Sequence, residues 1–385
     1  MEKQNSVDLS DVYDAAYEQE IGDYRKFVPV LINQVFLRHF IEPGLLEQKS
    51  CEDFLNPETH PNKTAFFIIK KLFDYFIDKG NLIQTEDGFF KVVKPIIDED
   101  PNDEKLNAHL KSNPEKRIIL QILINIRDII DKVLFKGEDA MLLMANNNFR
   151  EAMKVWEQLN AYAQVKVPCH HLVLRVIKNR LKTHKNLNIF EGGAGVGAVM
   201  RELSNDKELT DQLAGFKQYY FTDISLSLIK ISREWLREHL PAESYDKITF
   251  KVVNLDKLEI NTPDFAKENA FDIVIFEHVL YDLIDLHKTL TTVRKMLKPD
   301  GVLVFTMAYR LRPREFFPFE FMQSTFQSYY TAKLEPEYRE NIGYLTIDEW
   351  EKSLVRAGFL TYEVYPARED IEKWPYGGII AYPST

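Results

Sequence analysis

The stretch Leu187-Asn-Ile-Phe-Glu-Gly-Gly-Ala-Gly-Val-Gly197 decides how this chain is read. It opens as a short β-prone run, passes through glycines at 193, 195 and 197, and continues into a helical segment from Ala198 to Leu203. Glycine at those positions lets the backbone turn tightly and approach a ligand closely. The helix that follows presents N–H groups with no partner of their own. Working outward, β-prone runs stand at 219–222, 248–253, 271–276 and 302–306, each separated from the next by a helical stretch. That alternation predicts crossover helices and a mostly parallel sheet, an α/β architecture.

A glycine-rich turn serves dinucleotides as well as other cofactors, so its neighbours decide the ligand class. Glu191 ends the first strand, directly before the glycines. A carboxylate there repels a pyrophosphate but suits the cationic amino-acid part of S-adenosylmethionine (SAM). Asp223 ends the second strand, with Ile224 beside it, and can accept from both ribose hydroxyls. The third strand ends in Val253-Asn-Leu-Asp256, where Asn254 or Asp256 can meet the adenine amino group while Leu255 covers the ring. Each acid also has a plain alternative as a helix cap or solvated loop residue, and this weighs most for Asp256 taken alone.

The region from about residue 155 to 385 resembles the class I SAM-dependent methyltransferases. Phe271-Asp-Ile-Val-Ile-Phe-Glu-His-Val-Leu-Tyr281, then Thr289-Leu-Thr-Thr-Val-Arg-Lys-Met-Leu-Lys-Pro-Asp-Gly-Val-Leu-Val-Phe305, is similar to the fourth strand, helix and fifth strand of that family. Leu345-Thr-Ile-Asp-Glu-Trp350 and Val355-Arg-Ala-Gly-Phe359 resemble its final helix and the entry to its sixth strand. Gly378-Ile-Ile-Ala-Tyr382 fits the antiparallel last strand. The resemblance implies a Rossmann-like sheet, SAM as cofactor, and a cofactor set of Glu191, Gly193, Gly195, Gly197, Asp223, Ile224, Asn254, Leu255, Asp256 and Glu277.

Within that class the chain is most similar to the C-methyltransferase domains of polyketide synthases, through Phe221-Thr-Asp-Ile-Ser225 and the Val279-Leu280 element. In that family a histidine after Val-Leu, supported by a glutamate in an insertion, removes a proton from a β-keto thioester. Here Tyr281 stands at the histidine position and Gln327 where the glutamate is expected. A neutral Tyr/Gln pair can orient an enolate oxygen by hydrogen bonding but is a poor base at neutral pH. His278, one helical turn from Tyr281 if the segment is helical, is the candidate substitute, with a ligand-wall or core histidine as its alternative.

Composition narrows the rest. The 385 residues carry 49 Lys+Arg against 59 Asp+Glu, a formal charge of −10, with 45% apolar and 28% charged residues. That is an ordinary globular composition, long enough for two domains, and its acidity argues against nucleic acid as partner. Cys51 and Cys169 form no CxxC pair, and His170-His171 has no carboxylate at ligand spacing, so no metal is expected. The most apolar region, 118–130, is broken by Gln121, Asn125, Arg127 and Asp128, so no membrane span is expected. The expected compartment is a reducing cytoplasm.

Residues 1–160 read as a mainly helical domain with a winged-helix-like piece, and 161–385 as the methyltransferase domain with a helical lid insertion at 309–344. The piece joins a helix through Phe66–Ile77, stopped by Gly80, to a hairpin around Asp87-Gly88. Packing, homodimerisation or substrate covering suits it better than DNA. The insertion's aromatics, among them Phe316, Phe317, Phe319, Phe321 and Phe326, serve equally as a small core or as a lid over an apolar pocket. Arg310, Arg312 and Arg314 at its start suit a carboxylate, a carrier phosphate or a solvated face. The expected function is SAM-dependent methylation in polyketide-like metabolism, on the carbon of a small-molecule or acyl-carrier-bound β-keto or other activated acyl thioester. A small-molecule O-methyltransferase and a non-catalytic SAM- or partner-binding homologue are the alternatives.

Overall fold

The computed structural model describes residues 7–97, 111, 118–144, 149–161, 163–312 and 320–383. The chain forms two units, one of Met1–Glu18, Asn160–Pro313 and Thr331–Thr385, the other of Gln19–Leu159 and Arg314–Tyr330. The first eighteen residues thus group with the sheet, and the middle of the expected 309–344 insertion groups with the helices.

The helical unit contains most of α1 (Ala15–Phe36), all of α2 (Lys63–Asp78) and α3 (Ile118–Lys136), and most of α4 (Phe149–Ala161). The side chain of Asn62 caps α2 by accepting from the Ala65 N–H at 2.9 Å, and Gly80 follows its end with φ +70°. A hairpin comes next, β1 (Leu82–Gln84) against β2 (Phe90–Val92), with Leu82 paired to Val92 and Gly88 at φ +83° in the turn. Phe36, Phe54, Phe73, Phe76 and Phe90 form one aromatic core, with Phe36–Phe76 centroids 4.3 Å apart and Phe73–Phe90 4.6 Å apart. Residues from the insertion join this unit: Tyr330 stacks on Phe67 at 4.6 Å, and the buried Glu320 lies 3.4 Å from Lys71. Arg314, Phe316, Phe317 and Phe319 lie outside the described residues.

The other unit is built on β3 (Leu187–Gly192), β4 (Phe216–Asp223), β5 (Ile248–Val252), β6 (Phe271–Glu277), β7 (Leu297–Ala308), β8 (Thr361–Tyr365) and β9 (Tyr376–Tyr382). Their order across the sheet is β5-β4-β3-β6-β7-β9-β8, parallel except that β9 runs antiparallel to both neighbours. Helices on both faces bury β6 from Phe271 to Phe276 and β7 from Gly301 to Ala308, which is why Ile273–Phe276 and Val302–Phe305 read as unbroken apolar runs. From β3 the chain steps first to β4 and β5, then returns to β6 on its other side. That reversal opens a crevice at the carboxyl ends of β3 and β6, where Gly192 pairs with Phe276. Around it stand α5 (Val167–Thr183), α6 (Ala198–Asn205), α7 (Leu226–His239) and α8 (Leu286–Met296). The last helix, α9 (Ile347–Ala357), opens with a Thr346/Glu349 capping box and ends at Gly358, φ +90°. Among the described residues no helix is long and apolar enough to cross a membrane.

Candidate active site

The glycine turn occupies the end of β3. Gly193, Gly195 and Gly197 have φ of +68°, +55° and +77°, the left-handed region that a Cβ disfavours. Space distinguishes the first two. A Cβ on Gly193 would lie 2.4 Å from Val279, in the loop after β6, whereas one on Gly195 would meet nothing nearer than the Gly193 carbonyl at 3.9 Å. Gly193 is therefore required by packing, and Gly195 faces open space. The turn is tied to β4 by the Ala194 N–H donating to the Thr222 carbonyl at 2.8 Å and the Gly195 N–H donating to Asp223 Oδ2 at 2.9 Å.

Of the three strand-end acids, Glu191 is the deepest, 1% exposed, and accepts from the Tyr219 hydroxyl at 2.7 Å. Burial pushes its carboxyl up to about 8 against that hydrogen bond, with Glu277 and Asp223 adding repulsion. Asp223 is also buried, and burial raises its pKa although the N–H groups of Ser225, Gly195 and Ile224 pull the other way. Beside it Ile224 and Leu226 are exposed, at 65% and 53%, an apolar surface at the mouth of the crevice. Asn254 accepts from the Asp256 N–H at 3.0 Å, and Asp256 Oδ1 accepts from the Ile284 N–H at 2.8 Å, so both brace the loops around the buried Leu255.

The end of β6 is built differently. Glu277 lies 2.7 Å from Nε2 of His170 on α5. Burial disfavours the charged ring of His170, but the charge of Glu277 and the hydrogen bond to it win, and its pKa is raised. His278 has φ +54° and is 8% exposed; its N–H donates to the Thr306 carbonyl at 3.0 Å, while neither ring nitrogen has a hydrogen-bond partner among the described residues. Burial, then the positive charges of Lys166 and His170, hold its pKa well below 6.5, so the ring is neutral at neutral pH and takes up a proton readily only when negative charge develops beside it. The chain then makes a 3-10 turn, Leu280–Asp282, rather than a longer helix, and the rings of His278 and Tyr281 stand edge to face at 6.3 Å. Asp282 is solvent-accessible, yet the protein packed around it pushes its carboxyl up to about 7 against the pull of Arg339 and Lys166. Gln327 begins a 3-10 turn, Gln327–Tyr330, in the helical unit, and its side chain lies outside the described residues.

The crevice thus gathers the ends of β3, β4 and β6 and the loop after β5. The sequence reading missed Tyr219, Lys166 and Arg339 and the pairing of His170 with Glu277; no local pattern marks these, because each acts on a residue far along the chain.

A crevice at the reversal of a seven-stranded sheet with one antiparallel strand, fronted by a glycine turn and strand-end acids, defines a Rossmann-like class I methyltransferase fold. Residues 159–376 match the family model described as a methyltransferase domain, and the chain belongs to that family. It is a methyltransferase. The polyketide synthase-like protein Preu9 of Preussia isomera is 29% identical over 191 residues, covering 49% of this chain and 8% of that protein. The hybrid PKS-NRPS synthetase thnA of Trichoderma harzianum is 25% identical over 277 residues, covering 71% of this chain and 6% of that protein. The chain therefore spans less than a tenth of these curated relatives. Among solved structures, the DszA carbon methyltransferase aligns with a TM-score of 0.78 at 16% identity, over 99% of this chain and 94% of that one. The CurJ carbon methyltransferase aligns with 0.74 at 19% identity, over 98% and 96%. The trans-methyltransferase CalH in complex with SAH aligns with 0.63 at 18% identity, over 95% and 92%.

Proposed function

We propose that the chain uses SAM to methylate the carbon of an activated acyl thioester, a β-ketoacyl group above all, presented on a small thiol or an acyl carrier. The observation that carries this reading is His278: a nearly buried imidazole in a left-handed backbone conformation, neutral, with two nitrogens that have no partner among the described residues. An orphaned buried ring is costly unless a ligand completes it, and backbone strain of this kind gathers at working sites.

The cofactor fits the residues present. The open space at Gly195 would admit a close approach, Asp223 would accept from ribose hydroxyls, Ile224 and Leu255 would offer apolar cover for an adenine, and Asn254 or Asp256 would meet its amino group. Glu191 and Glu277 favour the cationic end. When bound, SAM supplies a methyl group activated by a positive sulfur. The protein's part is to make the carbon nucleophile: His278 accepts the proton from the acidic α-carbon, and the Tyr281 hydroxyl donates a hydrogen bond to the enolate oxygen so formed. That carbon would be the acceptor of the methyl group, the sulfur of SAM keeping the electrons of the bond it gives up.

We read the α2 and hairpin piece as winged-helix-like and suited to packing or self-association. Lys70, Lys71, Lys79, Lys91 and Lys94 are offset there by Asp74, Asp78, Glu86 and Asp87, which disfavours DNA. The deciding experiment is calorimetric titration with SAM and SAH, followed by incubation with a β-ketoacyl N-acetylcysteamine thioester and mass analysis. A methyl on carbon that resists hydrolysis supports the reading. A methyl on oxygen, or SAM binding without turnover of any thioester, overturns it.

A further inference from the structure

The turn that carries Tyr281 and Asp282 is held by one strap. The chain leaves the helical unit at Tyr330 and enters the sheet unit at Thr331. The Lys333 N–H then donates to the Ile284 carbonyl at 2.8 Å. Arg339, only 1% exposed, donates from Nη1 to the Leu283 carbonyl at 2.8 Å and from Nη2 to the Tyr281 carbonyl. Tyr344 packs its ring edge to face against that of Tyr281, centroids 4.6 Å apart. The strap is itself fixed: Glu335 and Arg339 exchange backbone hydrogen bonds of 2.9 and 2.7 Å, and the Glu340 N–H donates to Glu349 Oε1, in the capping box of α9, at 2.8 Å.

The guanidinium of Arg339 thus bonds two main-chain carbonyls of this turn, and its charge also acts on the Asp282 carboxyl between them. Its five donors in a rigid fork can hold two carbonyls of one turn at a fixed separation, which a single lysine ammonium does less well. The carbonyls it holds belong to the residues on either side of Asp282, so it sets where the Tyr281 and Asp282 side chains leave the backbone. Methyl transfer depends on in-line placement within a fraction of an ångström, and a small displacement of this turn is enough to spoil it.

We propose that Arg339 is a positioning residue for methyl transfer, fixing the Tyr281–Leu283 turn from the strap that follows the inserted segment. The inference rests on the proposed carbon methylation for its kinetic arm only. The experiment compares the full chain with Arg339→Met and Arg339→Lys in three readouts: SAM affinity, steady-state methylation of the β-ketoacyl N-acetylcysteamine thioester, and amide hydrogen exchange. In Arg339→Met, kcat falls about 10–100-fold while KM and the SAM Kd stay within about threefold. Exchange of peptides covering 279–285 accelerates about tenfold while those covering β6 do not change. Arg339→Lys, which can reach one carbonyl at a time, falls between the two in both measurements and serves if the methionine variant fails to fold. A folded variant with wild-type kcat overturns the proposal, as does unchanged exchange at 279–285 or equal loosening of the whole sheet. If the wild type itself transfers no methyl to carbon, the proposed function fails, and the exchange arm still decides whether Arg339 holds the turn.

Discussion

The turn after β3 and the turn after β6 meet at the crevice, Gly193 against Val279, and differ in how their side chains are partnered. In the first, amides, carbonyls and acids are matched within the protein: Gly195 N–H with Asp223, Ala194 N–H with Thr222, Glu191 with Tyr219. In the second, a neutral imidazole is buried on a strained backbone with no ring partner among the described residues. The first turn is a finished cradle and the second an unfinished site, which is the division expected when one holds a cofactor and the other does chemistry on a variable substrate.

The strongest way to break this contrast is at His278. Asparagine tolerates the left-handed conformation, so His278→Asn removes the base without adding backbone strain. We expect kcat on a β-ketoacyl thioester to fall about 10²–10⁴-fold with the SAM Kd unchanged, measured by radiolabelled methyl transfer and calorimetry. Full activity would return the proton to a substrate that is acidic without help.

Next in size is Gly193→Val. Its Cβ would sit 2.4 Å from Val279 at a φ of +68°, so it strikes the point where the two turns touch. Strain and overpacking together cost about 2–5 kcal/mol of stability in denaturant unfolding. Gly195→Ala separates the turn's two duties, since its Cβ points into open space: it loses SAM affinity with little loss of stability beyond the backbone penalty. Equal SAM affinity in Gly195→Ala would place the cofactor elsewhere.

These two glycines also show what the sequence could disclose. The alternation of strands, the glycine turn and the strand-end acids are local patterns, and the centre of the sheet follows from them because segments buried on both faces, such as Ile273–Phe276 and Val302–Phe305, are apolar. Longer-range facts have no such signature. Nothing near His278 announces φ +54°, nothing near Arg339 announces that it returns to Tyr281, and the grouping of Tyr330 with Phe67 depends on contacts across most of the chain. The one-turn spacing of His278 and Tyr281, which holds only if the segment is helical, does not apply, because β6 ends at Glu277 and His278 turns left-handed at once.

A smaller effect is expected at Asp223. Asp223→Ala removes the proposed ribose acceptor together with the partner of the Gly195 N–H, so the SAM Kd rises about 10–100-fold, corresponding to about 1.5–3 kcal/mol for lost charged hydrogen bonds. Calorimetry on a folded variant checks it. An unchanged Kd would leave Asp223 as a brace for the glycine turn and erase its part in the contrast.

The least disruptive test is the pH response of Glu191. Its carboxyl, ordinarily near 4.5, is pushed up to about 8 by burial. Between those values the folded chain keeps a proton that the unfolded chain has released, so this group makes stability fall as pH rises through the window and level off above it. For a single proton the slope is at most about 1.4 kcal/mol per pH unit. Asp223, raised in the same direction, adds a slope of the same sign nearer its own range. Glu191→Gln therefore flattens the curve without abolishing it: the variant gains on the wild type between pH 5.5 and pH 7.5 in denaturant unfolding. If the cationic end of SAM lies against Glu191, binding also expels the proton from the wild type and not from the variant, and calorimetry in buffers of different ionisation heat counts it. A stability gap that does not change with pH would make Glu191 an ordinary ionised carboxylate, and the cradle would then hold unspent charge just as the turn opposite holds an unspent base.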